Sequence, residues 1–126
     1  MDNSKINILV LDDEELIRTN IVAFLDDEGF SVFPAESGEQ ALDMAASTGF
    51  DIGIIDMRLP GMDGNTFIMK AHQVQPRMRF MIHTGSINYT LPRELIEIGL
   101  RNDDVFRKPE TDLDSMLAKI KSLLAG

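Results

Sequence analysis

The 126-residue sequence predicts an α/β fold: a doubly wound, five-stranded parallel sheet with helices on both faces. Three observations carry this. Short apolar runs rich in β-branched residues recur along the chain, and each stops at polar residues. Between the runs, apolar residues switch to helical spacing. A strand and a helix together take roughly 25 residues, which suits a right-handed crossover between parallel strands. One domain spanning residues 1–126 is expected.

The first strand is Ile6-Asn7-Ile8-Leu9-Val10-Leu11. Ile17, Ile21, Phe24 and Leu25 then fall on one helical face, and Gly29 stands where that helix would stop. Val32-Phe33 is a weaker strand. Ser37-Gly38-Glu39-Gln40 has the form of a capping box and opens a second helix through Ala41, Leu42, Ala45 and Ala46, with Gly49 at its far end. Ile52-Gly53-Ile54-Ile55 is the third strand, and Phe67, Ala71 and Val74 mark the third helix. Phe80-Met81-Ile82 is the fourth strand; a short fourth helix follows from Leu95 to Ile98, with Pro92 where it would begin. Val105-Phe106 is a weak fifth strand. Leu113, Leu117, Ile120 and Leu124 line a last helix opened by Thr111.

Composition narrows the function before any motif is considered. With 44% apolar residues the chain can bury a core without staples. The absence of cysteine excludes disulfides, thiolate metal sites and cysteine nucleophiles, and it suits a reducing, cytoplasmic location. The apolar run before Asp12 is too short for a signal-peptide core or a membrane span. A net charge of −9 has the wrong sign for gripping nucleic-acid phosphates or anionic lipid, so neither is expected as a direct partner.

In such a sheet, ligands bind beyond the carboxyl ends of the strands, where the strand order reverses. Strand one ends in Asp12-Asp13, strand three in Asp56, strand four in Thr84-Gly85-Ser86 and strand five at Lys108. Three carboxylates within ~5 Å repel by several kcal/mol, so bringing them together calls for a cation or a raised pKa. An all-oxygen set without His or Cys favours Mg²⁺, which retains waters and accepts a phosphoryl oxygen as a further ligand. Lys108 completes the charge balance. A carboxylate nucleophile, a metal, an ammonium and the Thr84 hydroxyl together can make an aspartyl phosphate. Singly, each residue has an ordinary role: Asp12-Asp13 or Thr84 as a helix cap, Lys108 in solvent. Their joint placement at strand ends points to chemistry.

From Ile6 to Leu124 the sequence resembles the receiver domain of two-component response regulators. Leu9-Val10-Leu11-Asp12-Asp13-Glu14 is similar to that family's first-strand acidic pair. Ile54-Ile55-Asp56-Met57-Arg58-Leu59-Pro60-Gly61-Met62-Asp63-Gly64 is similar to its phosphoacceptor segment, and His83-Thr84-Gly85 with Arg107-Lys108-Pro109 completes the pattern. The resemblance implies the flavodoxin-like (CheY-like) strand order 2-1-3-4-5. It implies Asp56 as phosphoacceptor, taking the group from a sensor histidine kinase or a histidine phosphotransfer protein. Mg²⁺ would be held by Asp13, Asp56 and the Met57 carbonyl, and by Asp12 through water. Lys108, the Thr84 hydroxyl and the Arg58 and Gly85 N–H groups would hold phosphoryl oxygens, while Pro60 and Gly64 would shape the loop. Arg58 and Ser86 resemble the family's variable positions flanking the approach of water, with Arg58 long enough to shield the phosphoryl group or to pair with Glu14 or Glu15. Such a domain catalyses its own phosphorylation and dephosphorylation and is not a turnover enzyme.

Output is where the sequence departs from the family. Val105 stands where an aromatic residue is common, three before the lysine, and alternation points Phe106 to the opposite face, toward the core. The signal is therefore expected to leave through the loop from Thr84 to Leu91 and the fourth helix. The fourth helix, fifth strand and fifth helix would meet the partner, or a second copy with Lys119 and Lys121 opposing Asp103, Asp104 or Glu97. The chain is expected to be either a stand-alone regulator of an unknown output protein or a receiver separated from a C-terminal output domain. The alternative is a receiver-fold docking module that acts without phosphorylation. A haloacid-dehalogenase-type phosphatase is disfavoured because Arg58, not Asp, stands two residues after Asp56. A flavodoxin-like carrier would set its phosphate against Asp12-Asp13-Glu14-Glu15. His83 is read as a core residue at a strand end, and the methionines as core fillers, with Met57 and Met62 nearest the site.

Overall fold

In the computed structural model, which describes residues 3–108 and 112–126, five strands alternate with five helices. The strands are β1 (Asn7–Leu11), β2 (Ser31–Ala35), β3 (Ile52–Asp56), β4 (Arg79–Thr84) and β5 (Val105–Arg107). The helices are α1 (Glu15–Asp27), α2 (Gly38–Ala45), α3 (Gly64–Val74), α4 (Arg93–Glu97) and α5 (Leu113–Ala125). Neighbouring strands pair in parallel in the order β2-β1-β3-β4-β5. The order reverses at β1 and β3, where Leu11 lies opposite Ile55, and the expected crevice opens just beyond.

Strand alternation sorts the core into two layers. Ile8, Val10, Ile52, Ile54 and Met81 pack with Ile21 and Leu25 of α1 and Met116 and Ile120 of α5. Leu9, Leu11, Ile55 and Ile82 pack on the other face with Ala41, Phe67, Ile68, Ala71 and Leu95 of α2, α3 and α4. All five residues of β3 are buried, so its sequence runs apolar without interruption until Asp56. The sheet edges are β2, which tolerates Pro34, and the three-residue β5.

Several element ends differ from the sequence reading. The Ser37 hydroxyl accepts from the Gln40 N–H at 3.1 Å, but the Gln40 side chain accepts from Glu36 N–H at 2.8 Å, so the capping box closes one residue early. Val74 is 57% exposed; Ile68 joins Phe67 and Ala71 on the inner face of α3 instead. Helix α4 is a single turn after Pro92, ending before Gly99, whose φ is 112°. The chain between α4 and β5 forms a 3₁₀ turn, Asn102–Asp104. Asp112 caps α5 by accepting from Ser115 N–H at 3.2 Å; Thr111, the expected opener, and Pro109 lie outside the described residues. Lys119 binds Asp103 at 3.2 Å and Asp104 at 2.9 Å within its own chain, the residues it was expected to oppose across a dimer. No helix among the described residues is long and apolar enough to cross a membrane.

Candidate functional site

The sequence turns from apolar to acidic where β1 and β3 end side by side. Asp12 and Asp56 are buried, at 2% and 4% exposure, whereas Asp13 and Glu14 stand on the exposed rim. One ligand atom from each of these four carboxylates lies within 4.8 Å of the others. The Lys108 N–H donates to the Thr84 carbonyl at 2.7 Å, which carries the lysine from β5 to the same rim. Its Nζ lies 2.7 Å from Glu14 Oε2, 3.0 Å from Asp12 Oδ2 and 3.3 Å from Asp56 Oδ2. Asp13, Glu14, Asp56, Arg58, Gly85 and Lys108 line an open cavity of about 350 Å³.

Charge is crowded there. Burial, and secondarily the neighbouring Asp12, push the Asp56 carboxyl up to about 7, although Lys108 and a hydrogen bond from Arg58 N–H (3.2 Å) pull the other way. Burial alone would lower the Lys108 ammonium, but hydrogen bonds to Glu14 and Asp12 and the charges of Asp12 and Asp56 hold it above its ordinary value. Lys108 is therefore a permanent cation. Four carboxylates against this one ammonium leave a net negative hollow of oxygen donors, a set that fits a hard divalent cation such as Mg²⁺.

The loops are shaped to the same point. The Met57 side chain packs in the core, and its carbonyl accepts from Gly64 N–H at 3.2 Å with one lone pair remaining. A Cβ at Gly64 would strike the Asp56 carbonyl oxygen and come within 2.8 Å of the Met57 Cα, so only glycine lets α3 start this close to β3. The Glu39 side chain of α2 accepts from Met62 N–H at 3.3 Å, steadying the loop in which Gly61 has φ 75°. Thr84 is buried, with its hydroxyl accepting from Ser86 N–H at 3.2 Å. Among the described residues Arg58 has no ion pair with Glu14 or Glu15, because Glu14 has turned to Lys108. His83 is buried beside Asp56 in the β3–β4 register. Val105 packs on the α2–α4 side of the sheet and Phe106 on the α1–α5 side, both half-buried.

Three residues near the site make contacts that the sequence did not foretell. Glu14 was visible in the acidic run, but nothing in one dimension separates it from the exposed Glu15. Arg18 of α1 donates to the Asp12 carbonyl at 2.9 Å and braces the end of β1. Arg107 donates to the Ser86 carbonyl at 2.7 Å and the Tyr89 carbonyl at 3.3 Å, tying β5 to the β4–α4 loop.

The family model described as response regulator receiver domain matches residues 8–121. This chain belongs to that family. Over 117 residues the receiver is 32% identical to sporulation initiation phosphotransferase F of Bacillus subtilis (strain 168), covering 93% of this chain and 92% of that protein. Its fold is similar to the CheY-like receiver domain protein of Methanospirillum hungatei JF-1, with TM-score 0.82, 26% identity and coverage of 95% and 94%. It is also similar to response regulator protein TrrA of Thermotoga maritima, whose structure is a complex with Mg²⁺–BeF, with TM-score 0.77, 26% identity and coverage of 94% and 98%. The strand order is that of the CheY-like flavodoxin fold, and the receiver is a signalling module.

Proposed function

We propose that this receiver accepts a phosphoryl group on Asp56 from a phosphohistidine on a sensor histidine kinase or histidine phosphotransfer protein, and that the modification switches the binding of an output partner. The observation that carries the reading is the approach of Lys108 Nζ to both Asp12 and Asp56, at 3.0 and 3.3 Å, beside an open hollow. An Asp56 carboxylate oxygen attacks phosphorus, the P–N bond to the donor imidazole breaks, and the imidazole nitrogen keeps the electron pair. Asp12, Asp13, Asp56 and the Met57 carbonyl would hold Mg²⁺, which supplies positive charge to the transferring phosphoryl oxygens. Lys108, the Thr84 hydroxyl and the N–H groups of Arg58 and Gly85 would hold those oxygens. Leu16, on the α1 side of the rim, and Ile87, on the β4–α4 side, are 80% and 82% exposed and offer a protein donor apolar contact.

Output follows from Thr84. The Thr84 hydroxyl can donate to a phosphoryl oxygen while still accepting from Ser86 N–H, so its movement toward the phosphoryl group would carry Ser86 along, and Ser86 and Tyr89 are tethered through their carbonyls to Arg107. Movement of the loop is thereby passed to β5 without an aromatic ring at Val105. The α4–β5–α5 face would be the partner surface; in a homodimer through it Lys121 would do the pairing, since Lys119 holds Asp103 and Asp104 and Glu97 is paired with Arg93 at 3.3 Å. The acting unit is the single domain of residues 1–126, whose output is a partner protein or an attached output domain.

Incubation with Mg²⁺ and a small acyl phosphate, followed by intact-mass measurement, tests this. One added phosphoryl group, absent in Asp56→Asn, is expected; no adduct with folded protein would leave a docking module that works without phosphorylation.

A further inference from the structure

We propose that Glu14 is a positioning and selectivity residue: it holds Lys108 at the rim of the resting site and discriminates against small anionic phosphodonors. The inference rests on the phosphoacceptor reading and deepens it. The shortest contact of Lys108 Nζ is with Glu14, 2.7 Å against 3.0 Å for Asp12 and 3.3 Å for Asp56. To reach an incoming phosphoryl oxygen the ammonium must give up or share a partner. Asp12 and Asp56 are buried at strand ends and cannot follow or retreat, whereas the Glu14 side chain is 56% exposed. Glu14 is also the N-cap of α1, yet its side chain makes no cap hydrogen bond, so its carboxylate is not required to start the helix. Glu14 is the partner that yields.

The charge count gives Glu14 its second role. Asp12, Asp13 and Asp56 are balanced by a divalent cation together with Lys108, which leaves Glu14 as the remaining negative charge and Arg58 as the remaining positive one lining the cavity a donor enters. A free dianionic donor is repelled by Glu14 and attracted by Arg58, so removing the Glu14 charge leaves the attraction alone. A protein donor brings contact energy from elsewhere, for which the exposed Leu16 and Ile87 are available. Because Glu14 is more than half exposed, its repulsion is screened by salt.

The test follows Asp56 phosphorylation by a small acyl phosphate, as a function of donor concentration, in the wild type, Glu14→Gln and Glu14→Asp. At low ionic strength Glu14→Gln is expected to raise the second-order rate about three- to tenfold, mainly through a lower apparent donor KM, and the gain should shrink at high salt. Glu14→Asp keeps the charge, so whatever its rate it should lack the salt-dependent gain of Glu14→Gln. Independently of activity, the ¹⁵N-detected Lys108 ammonium should lose protection from proton exchange in both variants, and Mg²⁺ affinity by calorimetry should change less than about tenfold. A Glu14→Gln rate within about twofold of wild type at low salt, or a gain indifferent to salt, overturns the selectivity role. Unchanged ammonium exchange overturns the positioning role, and a larger loss of Mg²⁺ affinity would make Glu14 a metal ligand instead. Absence of any Asp56-dependent adduct in all three proteins is a different failure, that of the phosphoacceptor reading itself.

Discussion

At the amino ends of the strands, the Asn7 N–H donates to Asp51 Oδ2 and its side-chain amide to the Gly49 carbonyl, each at 2.8 Å. Nearby, the Gln75 amide accepts from Phe50 N–H at 2.7 Å and donates to the Ala45 and Thr48 carbonyls at 2.9 and 2.7 Å. These polar groups meet opposite ones, mostly without net charge. At the carboxyl ends of the same strands, four carboxylates share one ammonium, and Asp56 is driven up to about 7. One end of the sheet is arranged to close loops, and the other holds a net negative charge that a cation would offset. Stability is given up at the second end for the sake of chemistry.

The comparison is sharpened first by substitutions of opposite sign. Asp56→Asn is expected to stabilise the metal-free protein at pH 8 by about 3–4 kcal/mol, because it removes a charge whose carboxyl stands at about 7 instead of 3.8. The sign follows from proton binding: between pH 4 and 7 the folded protein keeps the Asp56 proton that the unfolded chain has already released. Wild-type stability should therefore fall as pH rises through that window and level off above it, and the Asp56→Asn variant should lose that slope. Denaturant unfolding across pH reads both effects. At the other end, Gln75→Ala should destabilise by about 1–3 kcal/mol, since two part-buried carbonyls and one N–H lose their partner. A stabilising result there would break the contrast.

Smaller effects test the same division. Millimolar Mg²⁺ should raise the melting temperature, worth about 1–2 kcal/mol near tenfold its Kd, and Asp56→Asn should remove most of the rise. No shift in the wild type would sink the cation site. Asp51→Asn, at the exposed amino end, should cost less than about 1 kcal/mol and be insensitive to Mg²⁺; a Mg²⁺-dependent effect would place the cation at the wrong end of the sheet.

What the sequence made legible follows the same geography. Strands β1, β3 and β4 are almost wholly buried, so their apolar runs were plain and the polar residues ending them marked the rim. Edge strands β2 and β5 are shorter or only half-buried, and their signal was correspondingly faint. Asp12, Asp56, Thr84 and Lys108 could be found because each stands at the end of a strand. Glu14 pairs with Lys108 across 94 residues, and Gln75 closes loops 25 to 30 residues away; neither leaves a periodic trace. Lys119 and the acidic pair Asp103-Asp104 were visible as charges, but that they meet within one chain depends on the 3₁₀ turn before β5.

The central claim is that, of the four crowded carboxylates, Asp56 takes the phosphoryl group. Borohydride reduces an aspartyl phosphate to homoserine, which peptide mass spectrometry locates after treatment with Mg²⁺ and a small acyl phosphate. The account predicts homoserine at position 56 alone; homoserine at position 12 or 13, the corresponding reduced glutamyl product at position 14, or no reduced product from a folded protein would contradict it.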